Sequence, residues 1–77
     1  MEANDSMIRL AMETLDVSEE DAKTYNTAIP DIECWYFWTP ARGGRAMIVN
    51  EKGERLVAPS LINYNEHVAE FRRGKRN

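Results

Sequence analysis

The sequence predicts an α+β fold in the order α(α)βββα: a helix with a short second helix, a three-stranded antiparallel meander, and a closing helix. Three observations predict it. Apolar residues recur at spacings of three and four early in the chain, an aromatic run suited to a strand occupies the middle, and a glycine turn separates two further β-type runs.

Residues 6–16 form the first predicted helix. Ser6 or Asp5 caps it, and Met7, Ile8, Ala11, Met12 and Leu15 make its apolar face. Ser18 opens the second. Its hydroxyl can accept from an early N–H, Glu19, Glu20 and Asp21 sit in the positive first turn, and Val17 can staple against Ala22. The pattern fades through Asn26 and Thr27, and Pro30 closes the segment.

The first strand is expected over 32–39, where Ile-Glu-Cys-Trp-Tyr-Phe-Trp-Thr combines β-branched and aromatic residues. Pro40 and Gly43-Gly44 end it in a loop, and 45–50 is a second strand built on Met47, Ile48 and Val49. Asn50-Glu51-Lys52-Gly53 reads as a type I turn followed by a left-handed glycine. The third strand covers 54–58 and stops at Pro59. A final helix spans about 64–73, with Asn63 as cap, Glu66 as its capping-box partner, and Tyr64, Val68 and Phe71 as the apolar stripe. Arg72 and Arg73 suit its negative end and Gly74 the C′ position, after which residues 74–77 are expected to fray.

Length and composition bound the function. Seventy-seven residues make one small domain, 1–77, which excludes two-domain enzymes, full-size dinucleotide folds and α/β barrels. With 43% hydrophobic and 30% charged residues the balance is that of a globular chain. A core this small gains from association. The single Cys34 precludes an internal disulfide and fits a reducing compartment, so the cytoplasm is the expected location. No run approaches the roughly 20 apolar residues of a membrane span, and the acidic start lacks the basic region of a secretory signal. The net charge of −3 is unevenly spread. Residues 1–35 hold nine acids against two bases, net −7, and residues 36–77 hold eight bases against four acids, net +4. Such asymmetry can orient a charged partner or a second copy of the chain.

No catalytic, cofactor or metal site is expected. His67, the only histidine, reads as an exposed helical residue, and Cys34 as a buried small hydrophobe. A Cys34–His67 dyad would be the one route to a thiolate nucleophile, and no signature surrounds the cysteine. One Cys and one His lack the paired spacing of a zinc site. Arg42-Gly43-Gly44-Arg45 could clamp an anion between two guanidiniums, yet a strand rather than a helix follows it. The carboxylates at 19–21 are helix-start charges.

The aromatic run is the distinctive feature. Tyr36 and Trp38 point to one face of the strand, and Trp35 and Phe37 to the other. A three-stranded sheet with its helices on a single face buries only one of these sets, so either helices cover both faces or an aromatic patch is left for a partner. Trp35, Tyr36, Phe37 and Trp38, with Arg42 and Arg45 at the rim, are therefore the candidate partner-binding residues. The expected partner is another protein or a second copy, meeting an open edge of the 32–39 strand.

From Trp35 to Phe71 the chain carries Trp35-Tyr36-Phe37, Arg42 in a glycine-bearing loop, Ile48-Val49, a turn with Gly53-Glu54, and a helix with Tyr64, His67-Val68 and Phe71. This pattern resembles the small bacterial immunity-type α+β domains, cytoplasmic proteins that neutralise polymorphic toxins. There too a helix precedes the aromatic strand. The sequence departs from them in its short first strand connection and its acidic 18–21 segment. The resemblance implies protein binding without catalysis. Two other readings stay open. The aromatic face with Arg42, Arg45, Arg55, Arg72, Arg73, Lys75 and Arg76 could bind nucleic acid, although the acidic balance and the lack of an RNP-type motif argue against it. The chain could also be a structural homo-oligomer.

Overall fold

The computed structural model describes residues 3–40, 44–59 and 62–77. Its elements are α1 (Asp5–Leu15), α2 (Glu19–Thr24), β1 (Asn26–Ile29), a 3₁₀ turn (Pro30–Ile32), β2 (Cys34–Trp38), β3 (Arg45–Asn50), β4 (Arg55–Pro59) and α3 (Tyr64–Arg72). The class is α+β, but the sheet has four strands rather than three, an antiparallel meander in the order β1-β2-β3-β4.

The added strand is β1. Helix α2 ends at Thr24, and the Asn26 side-chain amide donates to the Ala22 and Lys23 carbonyls, satisfying two acceptors that the helix end leaves open. Freed from the helix, 26–29 pairs antiparallel with β2, from Asn26 opposite Phe37 to Ile29 opposite Cys34. The connection is the 3₁₀ turn, closed by Glu33 at φ 53°. It delays the aromatic strand to Cys34, two residues after the expected start. The outer edge of that strand, expected to be open, is covered by β1.

Local chemistry accounts for the remaining elements. Asn4, rather than Ser6 or Asp5, caps α1 by accepting from Met7 N–H at 2.9 Å. Ser18 caps α2 through Asp21 N–H at 3.1 Å. Asn63 caps α3 through Glu66 N–H at 2.9 Å and donates back to the Glu66 carboxylate at 3.4 Å. In the β3–β4 turn Gly53 takes φ 85°, and its N–H donates to the Asn50 carbonyl at 3.1 Å. The 74–77 segment does not fray away from the domain. Asn77 lies along β4, with its N–H on the Arg55 carbonyl at 3.1 Å.

Helices cover both faces of the sheet. On one, Met7, Ile8, Ala11 and Leu15 of α1 and Ala22 of α2 pack on Trp35, Phe37, Met47 and Val49. On the other, Val68 and Phe71 of α3 pack on Ile29, Cys34, Ile48 and Leu56. The even positions of β2 and β3 therefore face α3 and the odd ones face α1, as a period of two requires. Of the two aromatic sets, α1 buries Trp35 to 3% exposure and Phe37 to 0%, whereas Tyr36 and Trp38 on the α3 face stay partly exposed.

Candidate functional site, an aromatic groove

Helix α3 is short and sits over one end of its face. Beyond its first turn an open groove of ≈ 520 Å³ remains, lined by Tyr36, Trp38 and Tyr64 with Thr27, Ala46 and Arg45. Each ring is placed by a different piece of backbone. Tyr36 and Trp38 are alternate residues of β2 on the α3 face, their ring centroids 5.8 Å apart. Tyr64 is the first helical residue after the Asn63 cap. It meets Tyr36 edge-on at 4.8 Å and keeps 39% of its surface exposed. Tyr25 braces the far side of Trp38 edge-on at 6.1 Å. Such tilted and edge-to-face contacts fix the rings while leaving their free edges to solvent.

Arg45 borders the groove at the start of β3, and its side chain turns away to the α1 face. Its Nη2 donates to the Thr14 carbonyl at 2.7 Å in the last turn of α1, where a cation is favoured. Its backbone N–H donates to Thr39 Oγ1 at 3.0 Å, and its carbonyl accepts from Thr39 N–H at 3.0 Å, which pins the start of β3 beside the groove.

Of the six residues singled out from sequence, the structure gathers Tyr36, Trp38 and Arg45 at this groove. Trp35 and Phe37 are interior, beneath α1, and out of a partner's reach. Arg42 lies outside the described residues, as do Gly43 and most of the candidate anion loop. Sequence reasoning missed Thr27 and Tyr64 as groove residues and Tyr25 as the brace behind Trp38. Tyr64 follows the helical stripe of Val68 and Phe71, and nothing in that spacing tells that the sheet beneath it is open.

His67 is not exposed but fully buried, at 0%. Its Nε2–H donates to the Leu56 carbonyl at 2.8 Å, and its ring stands edge-on to Tyr36 at 5.6 Å, under the groove wall. The acceptor Nδ1 has no partner, and neither has the buried indole N–H of Trp35. Burial lowers the His67 pKa below its ordinary value, with the Leu56 hydrogen bond and Glu70 opposing. Cys34 is also buried, and its thiol donates to the Ile32 carbonyl at 3.2 Å. Burial raises its pKa, with Arg76 opposing and Glu33 and Glu54 adding. Tyr36 is raised by burial and by Tyr64. The two halves of the Cys34–His67 dyad thus each bond a different carbonyl rather than one another. Among the described residues no group of three or more His, Cys, Asp or Glu could hold a metal ion. Among the same residues, no helix is long and apolar enough to cross a membrane.

Comparison with known proteins returns no match to a family model, to a curated protein or to a solved structure.

Proposed function

We propose that the domain is a non-catalytic protein-binding module that works through the aromatic groove, and that it is an immunity-type inhibitor occluding the working surface of a bacterial toxin in the cytoplasm. The observation that carries this reading is the cluster of Tyr36, Trp38 and Tyr64, held together by ring–ring contacts yet partly open to solvent. Tyr, Trp and Arg are the residue types that concentrate binding energy at protein interfaces. The buried free thiol of Cys34 suits a reducing cytoplasm. Nucleic acid fits less well. Arg45 is committed to α1, Arg72 pairs with Asp31, and Arg76 lies over the Phe71 ring while donating to the Phe71 carbonyl. Of the proposed basic cluster, Arg55 and Arg73 are the guanidiniums among the described residues that remain to track a phosphate backbone.

The test is protection of growing cells. Bacterial toxins, beginning with any found encoded beside the gene, are each co-expressed with the wild-type chain, with Trp38→Ala, or with Tyr64→Ala. Protection by the wild type, and its loss in both folded variants, supports the reading. Undiminished protection by both variants overturns the groove as the binding surface. Salt-sensitive binding of a single-stranded oligonucleotide that depends on Trp38 would instead support the nucleic-acid reading.

A further inference from the structure

The two outer strands of the sheet have unlike edges. On β4 the residues whose backbone turns outward include Arg55 and Val57, and Asn77 occupies them. Its N–H donates to the Arg55 carbonyl, its side-chain oxygen accepts from Val57 N–H at 2.9 Å, and its amide donates to the Val57 carbonyl at 3.0 Å. Two positions further on, Pro59 has no N–H to offer. Strand β1 has no comparable cover. Trp38 N–H donates to the Tyr25 carbonyl at 3.2 Å, which sets the phase of the β1–β2 ladder. The backbones of Thr27 and Ile29 then face β2, and those of Asn26 and Ala28 face outward. Among the described residues no backbone group pairs with them. Within Asn26–Ile29 there is also no lysine and no proline of the kind that guards an edge.

We infer that a second copy of the chain occupies this edge, joined β1 to β1 in antiparallel fashion about a two-fold axis at Thr27. In this register Asn26 of each copy faces Ala28 of the other, and each such pair exchanges both of its hydrogen bonds. Every outward N–H and carbonyl of the two strands is then satisfied. The neighbouring symmetric registers do worse. An axis at Asn26 sets Ala28 against Thr24, which is helical, and an axis at Ala28 sets Asn26 against Pro30, which cannot donate. Charge agrees with the arrangement. Antiparallel pairing brings the Lys23 end of one copy to the Asp31 end of the other, twice over. Both side chains are exposed, and within the monomer each makes only a surface ion pair, to Glu19 and Arg72 respectively. The strand itself carries no charge, so no like charges meet across the axis.

The product is one continuous sheet of twice the width. Because the axis is perpendicular to it, both α3 helices lie on the same face, and the two aromatic grooves approach each other across Thr27. Pairing at the edge and occupation of the groove are separate properties, since variants at Trp38 or Tyr64 leave the β1 backbone unchanged.

Sedimentation equilibrium of the purified chain, from micromolar to millimolar concentration, tests the assembly. The expected result is a dimer whose Kd rises at least tenfold in Thr27→Lys, with an unchanged circular dichroism spectrum because Thr27 is an exposed strand residue. Thr27 opposes its own copy as a non-hydrogen-bonded pair, a spacing that suits a disulfide. Oxidised Thr27→Cys should therefore cross-link into a dimer, while Glu51→Cys, in the exposed β3–β4 turn, should not. Buried Cys34 does not compete. A wild-type chain that stays monomeric at millimolar concentration overturns the inference. So does a dimer indifferent to Thr27→Lys, or cross-linking no faster at position 27 than at position 51.

Discussion

The two faces of the sheet carry comparable aromatic content and are treated differently. On the α1 face Trp35 and Phe37 lie under a helix of 11 residues assisted by Ala22 of α2. On the opposite face Tyr36 and Trp38 lie beside a helix of nine residues that begins only at Tyr64 and reaches the Cys34 end of β2. At about 1.5 Å of rise per residue, α3 is a few ångströms shorter than α1. Its offset matters more than its length, because it leaves the Trp38 end of the sheet without a helix. The contrast teaches that hydrophobic content alone does not mark an interface. Two side chains adjacent in sequence, Phe37 and Trp38, point to opposite faces by strand alternation, and where the helices are docked makes one core and the other groove.

The sharpest way to break this comparison is to truncate one ring on each face. Phe37→Ala removes a fully buried ring and leaves a cavity beneath α1, so it should cost about 3–5 kcal/mol of folding stability. Tyr64→Ala removes a partly exposed ring and should cost well under half of that while abolishing partner binding. Chemical denaturation of both variants measures the pair. Equal losses would mean that the groove is core and not surface.

The next effect tests the frame on which both faces hang. Gly53 joins β3 to β4 at φ 85°, and a Cβ placed there meets nothing within 4 Å. Any penalty at this position is therefore backbone strain and not crowding. Gly53→Val should destabilise by about 1–2 kcal/mol. A melting temperature equal to that of the wild type would show that the turn adopts another conformation in solution.

These outcomes bear on what the amino-acid sequence could reveal. The Asn63–Glu66 cap, the Ser18 cap and the Gly53 turn were legible because each is a contract between residues at most four apart. Strand β1 was not. Asn-Thr-Ala-Ile is too short to declare itself, and it becomes a strand because β2 offers a ladder beside it. His67 was misread as exposed for a related reason. Its neighbour Val68 announces the buried stripe, whereas the Leu56 carbonyl that accepts from His67 lies on another element. Half of the groove could be read from alternation along β2. The other half, Thr27 and Tyr64 with Tyr25 as the brace, is assembled only by tertiary packing.

A smaller effect sharpens the contrast from beneath the groove. His67 is held neutral by burial, while in the unfolded chain an imidazole titrates near 6.5. Below that pH the unfolded state binds a proton that the folded state resists. The stabilisation is therefore complete above about pH 6.5 and declines as pH falls towards the depressed folded value. Thermal melts between pH 7.5 and 5.5 should show a steeper decline for the wild type than for His67→Gln, which removes the titrating ring and keeps an amide donor for Leu56. Parallel profiles would mean that the buried Nδ1 is reached by water.

The smallest effect compares the two edges of the sheet. Asn77 holds β4 through two hydrogen bonds from its side chain to Val57 and one from its backbone to Arg55. All three are near solvent, where each net bond is worth about 0.5–1.5 kcal/mol, and Asn77→Ala removes only the side-chain pair. A loss of about 1 kcal/mol is expected, with both exposed bonds at the low end of that range. The more discriminating readout is amide hydrogen exchange. In the wild type Val57 N–H should be protected although it lies on an outer strand, and Asn77→Ala should bring it close to the rate of an exposed amide. The amide of Ala28, on the opposite edge, should be protected only at concentrations where the chain is dimeric. Fast exchange at Val57 in the wild type would mean that β4 is as open as β1. The edge asymmetry that directs self-pairing to Thr27 would then disappear.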